Sequence, residues 1–162
     1  ARAGEEAPDF RGAIGVPESG VQGVDITVPV YAWTETHYLE PVIVDEAYRR
    51  TVRDLTGRVN LHRFRGYDSG EVLFRGATGT RRGLDEEDDW AITYHFAASE
   101  NRDDIEVADI GPIVKGGWEY LWTLHAPKPA PDGVTLLRVP KAVYVEKTSR
   151  DGDFSQLAIG RI

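Results

Sequence analysis

The tightest constraint on the fold is a strict alternation of large apolar side chains in two stretches. Trp90, Ile92, Tyr94 and Phe96 recur at every second residue, and Trp118, Tyr120, Trp122 and Leu124 do the same. Successive side chains of a β-strand point to opposite faces, so a period of two predicts a strand with one buried face. A face that carries only large apolar groups belongs to a core rather than to a sugar-binding surface. Tyr31 and Trp33 stand in a less regular stretch and are the better candidates for an exposed contact patch.

Other segments follow the same period. Ile26, Val28 and Val30 alternate with Asp25, Thr27 and Pro29, and the proline places that strand at an edge or bulge. Val72–Phe74 reads as a short strand between Ser69-Gly70 and Gly76. Val134–Val139 and Lys141–Lys147 read as two strands with Pro140 as a break between them. Pro127, Pro129 and Pro131 close the second aromatic strand, and Asp132-Gly133 and Asp151-Gly152 are turn signals. One stretch has a helical period instead. Asp45 is a good N-cap, Val44, Tyr48, Val52 and Leu55 fall on one stripe, and Gly57 suits the position after the end, so a helix is expected over 45–56.

Gly76–Asp89 reads as a long polar loop, Gly-rich first and acidic afterwards, of a length that in compact domains often serves binding. Ala1–Gly23 holds Gly4, Pro8, Gly12, Gly15, Pro17, Gly20 and Gly23, with neither helical nor strand period. It reads as an extended arm, lying either on a neighbouring subunit or back on its own domain. The expected organisation is an arm, 1–23, and a single β-rich domain, 24–162, mainly β: an antiparallel β-barrel or sandwich with one packed α-helix. A chain of 162 residues can bury a sizeable core without staples.

Charge and composition narrow the function. The net charge of −8 disfavours specific nucleic-acid binding, which needs clustered Lys and Arg. The charge is unevenly placed: Glu46–Arg82 holds nine Arg and four acids, Gly83–Ile110 ten acids and one Arg. A basic and an acidic face would let copies pack head to tail into a ring or filament. No run approaches the ~18 apolar residues of a membrane span, so no membrane partner is expected. Ala1–Pro8 lacks the basic start and apolar middle of a signal peptide.

Motifs for chemistry are missing. Cysteine is absent, which removes disulfides, thiolate nucleophiles and Cys-type zinc sites. His37, His62, His95 and His125 form no HxH or HExxH pair. His95 and His125 alternate out of the two aromatic strands, on the faces opposite the aromatics. Gly76–Gly83 resembles a phosphate loop in composition, but lacks the lysine and the following helix. Asp85, Glu86, Glu87, Asp88 and Asp89, like Asp151 and Asp153, lack the spacing of an EF-hand. None of Ser19, Ser69, Ser99, Ser149 and Ser155 lies in a GxSxG elbow. A non-enzymatic chain is therefore expected, with no cofactor and no metal.

The arm, the β-rich body, the helix at Asp45–Thr56 and the loop at Gly76–Asp89, with Gly70-Glu71-Val72-Leu73-Phe74 and Gly117-Trp118-Glu119-Tyr120-Leu121-Trp122, resemble virion structural proteins of tailed phages, most of all the tail-tube class. The resemblance implies stacked rings of β-barrels, arms and loops that bridge neighbours, and an acidic channel through which DNA slides without sticking. Head-to-tail connectors and decoration proteins share the design. The function expected is thus a self-assembling structural subunit of a virion, partnered by its own copies and other structural subunits. Its interface residues are expected at Arg49, Arg50, Arg53, Arg81 and Arg82, at Asp85, Glu86, Glu87, Asp88 and Asp89, and at Phe10 and Ile14 of the arm. The alternative is a secreted, extracellular carbohydrate- or ligand-binding β-sandwich.

Overall fold

A computed structural model describes residues 30–160 and the main-chain course of Val21–Val24. In chain order the elements are β1 (Val21–Val24), β2 (Val30–Leu39), α1 (Glu46–Leu55), β3 (Val59–Asn60), β4 (Val72–Arg81), β5 (Trp90–Ser99), β6 (Arg102–Val107), β7 (Ile110–Lys115), β8 (Glu119–Pro129), β9 (Leu136–Lys147) and β10 (Asp151–Gly152), followed by a 3-10 turn at Phe154–Leu157. The fold is mainly β with one α-helix, and none of its sheets closes into a barrel among the described residues, which fits the sandwich-like class rather than the barrel. Contacts gather the chain into two compact units. One is Val28–Glu100 with Ser149–Ile162, and the other is Asn101–Thr148 with the segment that includes β1.

The first unit is built on a five-stranded sheet of order β10-β3-β4-β5-β2, in which only β10 and β3 run parallel. β2 pairs with β5 over its full length, from Val30↔Ser99 to Leu39↔Trp90. β4 pairs with β5 from Val72↔Ala98 to Arg81↔Trp90, and the register shifts between Phe74 and Gly76. Arg75 is the extra residue of this β-bulge, and Gly76 takes φ +112°, a conformation that side chains disfavour. The shift changes which residues face inward. Before it Val72 and Phe74 lie on the core face, and after it Ala77, Gly79 and Arg81 stand opposite Tyr94, Ile92 and Trp90.

Helix α1 lies against this face. The Asp45 carboxylate accepts the Tyr48 N–H at 2.7 Å and caps its start. Gly57, at φ +84°, ends it and donates its N–H to Phe74 O at 2.8 Å. Val44, Tyr48 and Leu55 are buried against Phe74, Ile92, Tyr94 and Phe96, and Val52 is half-buried beside them. Phe64 and Phe154 complete the core, with ring centroids 5.1 Å (Phe64–Phe96) and 5.3 Å (Phe64–Phe154) apart. Asn60 is fully buried and fully bonded: its amide donates to His62 O and Asp68 O and accepts the Val72 N–H.

The second unit holds a three-stranded sheet, β1-β8-β9, and the hairpin β6–β7. Ile105 and Ile113 of the hairpin pack on Leu121, Val143 and Val145, one face of β8–β9. The opposite face buries Trp122, Ala142 and Tyr144. A second bulge falls here, since Leu124 faces Ala142 while His125 faces Pro140, leaving Lys141 over. β9 is an edge strand, so the missing N–H of Pro140 breaks no sheet.

Several expectations are corrected. Pro140 does not divide two strands; β9 runs through it. The prolines after His125 do not end β8 before Pro129. Gly76–Arg81 is strand rather than loop, because cross-strand pairing with β5 outweighs the weak strand preference of Gly. Asp151-Gly152 pairs with β3 instead of turning. The last arm residues, Val21–Gly23, belong to β1, whereas 1–20, with Phe10 and Ile14, and most of the Ile26–Val30 strand lie outside the described residues.

Candidate interaction sites

The predicted interface arginines gather only in part. Arg49 of α1 and Arg81 at the end of β4 approach the same ring, with guanidinium carbons 5.2 and 5.4 Å from the centroid of Trp90. Between α1 and strands β4–β5 lies a groove of about 560 Å³, lined by Val44, Tyr48, Arg49, Val52, Arg53, Thr56, Gly76–Gly79, Trp90 and Ile92. Arg50 instead pairs along the helix with Glu46, Arg53 lies 3.3 Å from Asp54, and Arg82 covers Tyr38 at 4.4 Å. These exposed pairs are worth roughly 0–1 kcal/mol each.

The acidic loop is short, 82–89. Arg82 N–H donates to Asp89 O at 2.9 Å, closing it, and Asp85 N–H donates to the Asp88 carboxylate at 3.0 Å. Asp88 therefore serves the loop itself, while Asp85, Glu86, Glu87 and Asp89 are exposed. Leu84 stands fully in solvent.

Tyr31 is exposed as expected, but Trp33 is not free to act beside it. Its ring stacks on Tyr31, Tyr67 and Phe96 at 5.7, 5.8 and 5.3 Å, and its Nε1–H donates to Glu35 at 3.0 Å. Glu35 is the centre of a network. Arg65 donates to it from Nη2 at 2.8 Å and from Nε at 3.0 Å, and His37 Nε2 lies 3.1 Å away. Arg65 also donates to the carbonyls of Ile159 and Gly160, tying the end of the chain to β2. Partial burial works against the Glu35 charge, but the bonds from Arg65, Trp33 and His37 prevail and hold its carboxyl down to about 2. Nearby, the buried hydroxyls of Tyr48 and Tyr94 bond each other, and Tyr48 donates to Leu157 O at 2.7 Å. Burial pushes both phenols up. The arrangement is a structural chain of donors, with each proton assigned a partner.

What sequence reasoning missed is that β8 continues past His125 to Pro129 and that the outer half of the β8–β9 hairpin is exposed. Among the described residues β1 pairs with β8 from Leu121 to Leu124. Beyond His125 no other described strand pairs with the two-stranded ribbon, with Val134 88% and Leu136 68% exposed and Leu137 exposed beside them. Its turn is well made: the exposed Asp132 carboxylate accepts from the N–H groups of Val134 and Thr135 at 2.9 Å and from the Thr135 hydroxyl at 2.7 Å. Lys128, Arg138 and Lys141 make the ribbon basic. The sequence carries the signal in Val134, Leu136, Leu137 and Val139 following Asp132-Gly133, a strand with apolar residues on both faces.

Among the described residues no three His, Asp or Glu side chains gather as a metal site, and no helix is long and apolar enough to cross a membrane. His95 and His125 stand in different sheets. Asp153 is used locally, accepting the Ser155 N–H at 3.0 Å. No family model, curated protein or solved structure matches the chain.

Proposed function

We propose that this chain is a non-enzymatic structural subunit that self-assembles, as a phage-type virion protein of the tail-tube class does, with its own copies and other structural subunits as partners. The observation that carries the reading is the ribbon of β8–β9 beyond His125. A two-stranded hairpin alone is marginal in water, and this one exposes Val134, Leu136 and Leu137 together. Burying such a side chain is worth about 1.5–3 kcal/mol, so a neighbouring subunit that covers the ribbon stabilises both it and the assembly. The basic residues Lys128, Arg138 and Lys141 suit an acidic neighbour, and this chain is itself acidic.

Light scattering and negative-stain microscopy across concentration test the proposal. Rings, tubes or a defined oligomer are expected, and Val134→Asp with Leu136→Asp and Leu137→Asp should return the protein to a folded monomer. A wild-type chain that stays monomeric at high concentration overturns self-assembly and turns attention to a ligand-binding module.

A further inference from the structure

We infer that the groove between α1 and strands β4–β5 receives the segment Glu5–Phe10 of a second copy, an inference that rests on the self-assembly proposed above. The groove has an apolar body. Val44, Val52 and Ile92 line it, and Ala77 and Gly79 form a floor nearly without side chains. A Cβ added at Gly79 would stand 3.3 Å from Ile92 Cγ1 and 3.5 Å from Trp90 Cε3, so the floor is as low as the packing allows. The volume, about 560 Å³, lies in the ~300–1,000 Å³ range of sites that enclose a bulky group.

Its charge is one-sided. Arg49 and Arg53 line it, Arg81 flanks Trp90, and no lining residue is an acid. Arg53 has Asp54 at 3.3 Å. Arg49 and Arg81 have the Trp90 ring and, among the described residues, no carboxylate partner. In a chain of net charge −8 with 27 acids, two such arginines beside an apolar slot call for an acidic ligand with an apolar group next to its charges.

The sequence contains that chemistry. Glu5-Glu6-Ala7-Pro8-Asp9-Phe10 places three carboxylates within five residues of one aromatic ring. Pro8 biases Ala7 to extended backbone, which suits a segment laid along a groove. The other acidic run, 85–89, fits less well, since Asp88 is engaged within its own loop.

The absence of cysteine gives a clean test. One variant carries Phe10→Cys and another Thr56→Cys, the latter at an exposed position of the groove, where the Thr56 side chain faces Gly76. Mixed and oxidised in the full-length chain, they are expected to give a disulfide-linked pair identified by peptide mass. Adding Arg49→Glu and Arg81→Glu to the Thr56→Cys chain should lower the yield at least about tenfold. The wild-type particle mass is measured in the same buffer. Assembly without the Phe10–Thr56 link overturns the inference alone, and a monomeric wild type overturns the assembly reading first. Linkage only when both cysteines sit in one dilute chain overturns it in favour of the chain's own segment. Linkage from Leu84→Cys in place of Phe10→Cys overturns it in favour of the acidic loop.

Discussion

From Trp90 to Phe96 in β5, Ile92, Tyr94 and Phe96 share one buried face and the residues between them stay half-exposed, whereas in β8 three consecutive residues, Leu121, Trp122 and Thr123, are all buried. Both strands show the same alternation in sequence. Over Trp90–Phe96 the core lies on one face of β5, so period and burial coincide there, and only from Phe96 to Ser99 is every residue of β5 buried. β8 has apolar clusters on both faces, so burial there follows what covers each face. Tyr120, one of the alternating aromatics, is 37% exposed. Polar atoms differ too. The sheet of β5 gives the hydroxyl of Tyr94 and the indole of Trp33 partners, while Trp122 Nε1, Thr123 Oγ1 and His125 Nδ1 are buried with none among the described residues. Alternation thus announces a strand; the cover decides which side chains become core.

The largest expected effect separates the two aromatic rows. Phe96→Ala should cost about 3–5 kcal/mol in urea unfolding, and Tyr120→Ala less than about 1. Equal losses would mean that both rows are core, against the burial described. The next effect is pH-dependent. With its folded value at about 2 and an ordinary value of 4.5, Glu35 stabilises the fold fully above 4.5 and loses that contribution as pH falls toward 2. Allowing for its partial solvent access, the loss is on the order of 1–2 kcal/mol. Glu35→Gln should flatten this part of the stability profile, and an unchanged slope would place the titration elsewhere.

The smallest pair differs in sign. Tyr94→Phe removes a donor from the Tyr48 hydroxyl and should destabilise by about 1 kcal/mol. Thr123→Val keeps the shape while removing a buried hydroxyl without a described partner, and should stabilise by about 1 kcal/mol. Thermal unfolding of both variants decides whether the polar contrast between the sheets is real.

What could be read from sequence was local. The cap at Asp45, the stripe Val44-Tyr48-Val52-Leu55, the stop at Gly57, the strand at Trp90–Phe96 and the Asp132-Gly133 turn each depend on residues a few positions apart, and the mainly β class followed. The Gly76–Arg81 half of β4 was hidden because its Gly and Thr residues resemble a loop until β5 pairs with them. The meeting of Arg49 and Arg81 on Trp90 and of Glu35 with Arg65 requires tertiary structure, since no period links residues thirty or more positions apart. Arg50, Arg53 and Arg82 could be named as charged but not assigned their local partners. The status of Phe10 and Ile14 lies outside the described residues.

The bulges at Arg75 and Lys141 bear on how the chain tolerates changes in length. Each adds one residue to a strand whose partner has none to match it. Deleting Arg75 would let Gly76 follow Phe74 directly and still leave Ala77 opposite Tyr94 and Gly79 opposite Ile92. Deleting Lys141 would likewise leave Ala142 opposite Leu124. These are positions where a lineage can shed a codon without turning the downstream side chains over, whereas a codon lost one turn of the pleat later would have to be compensated in the loop beyond.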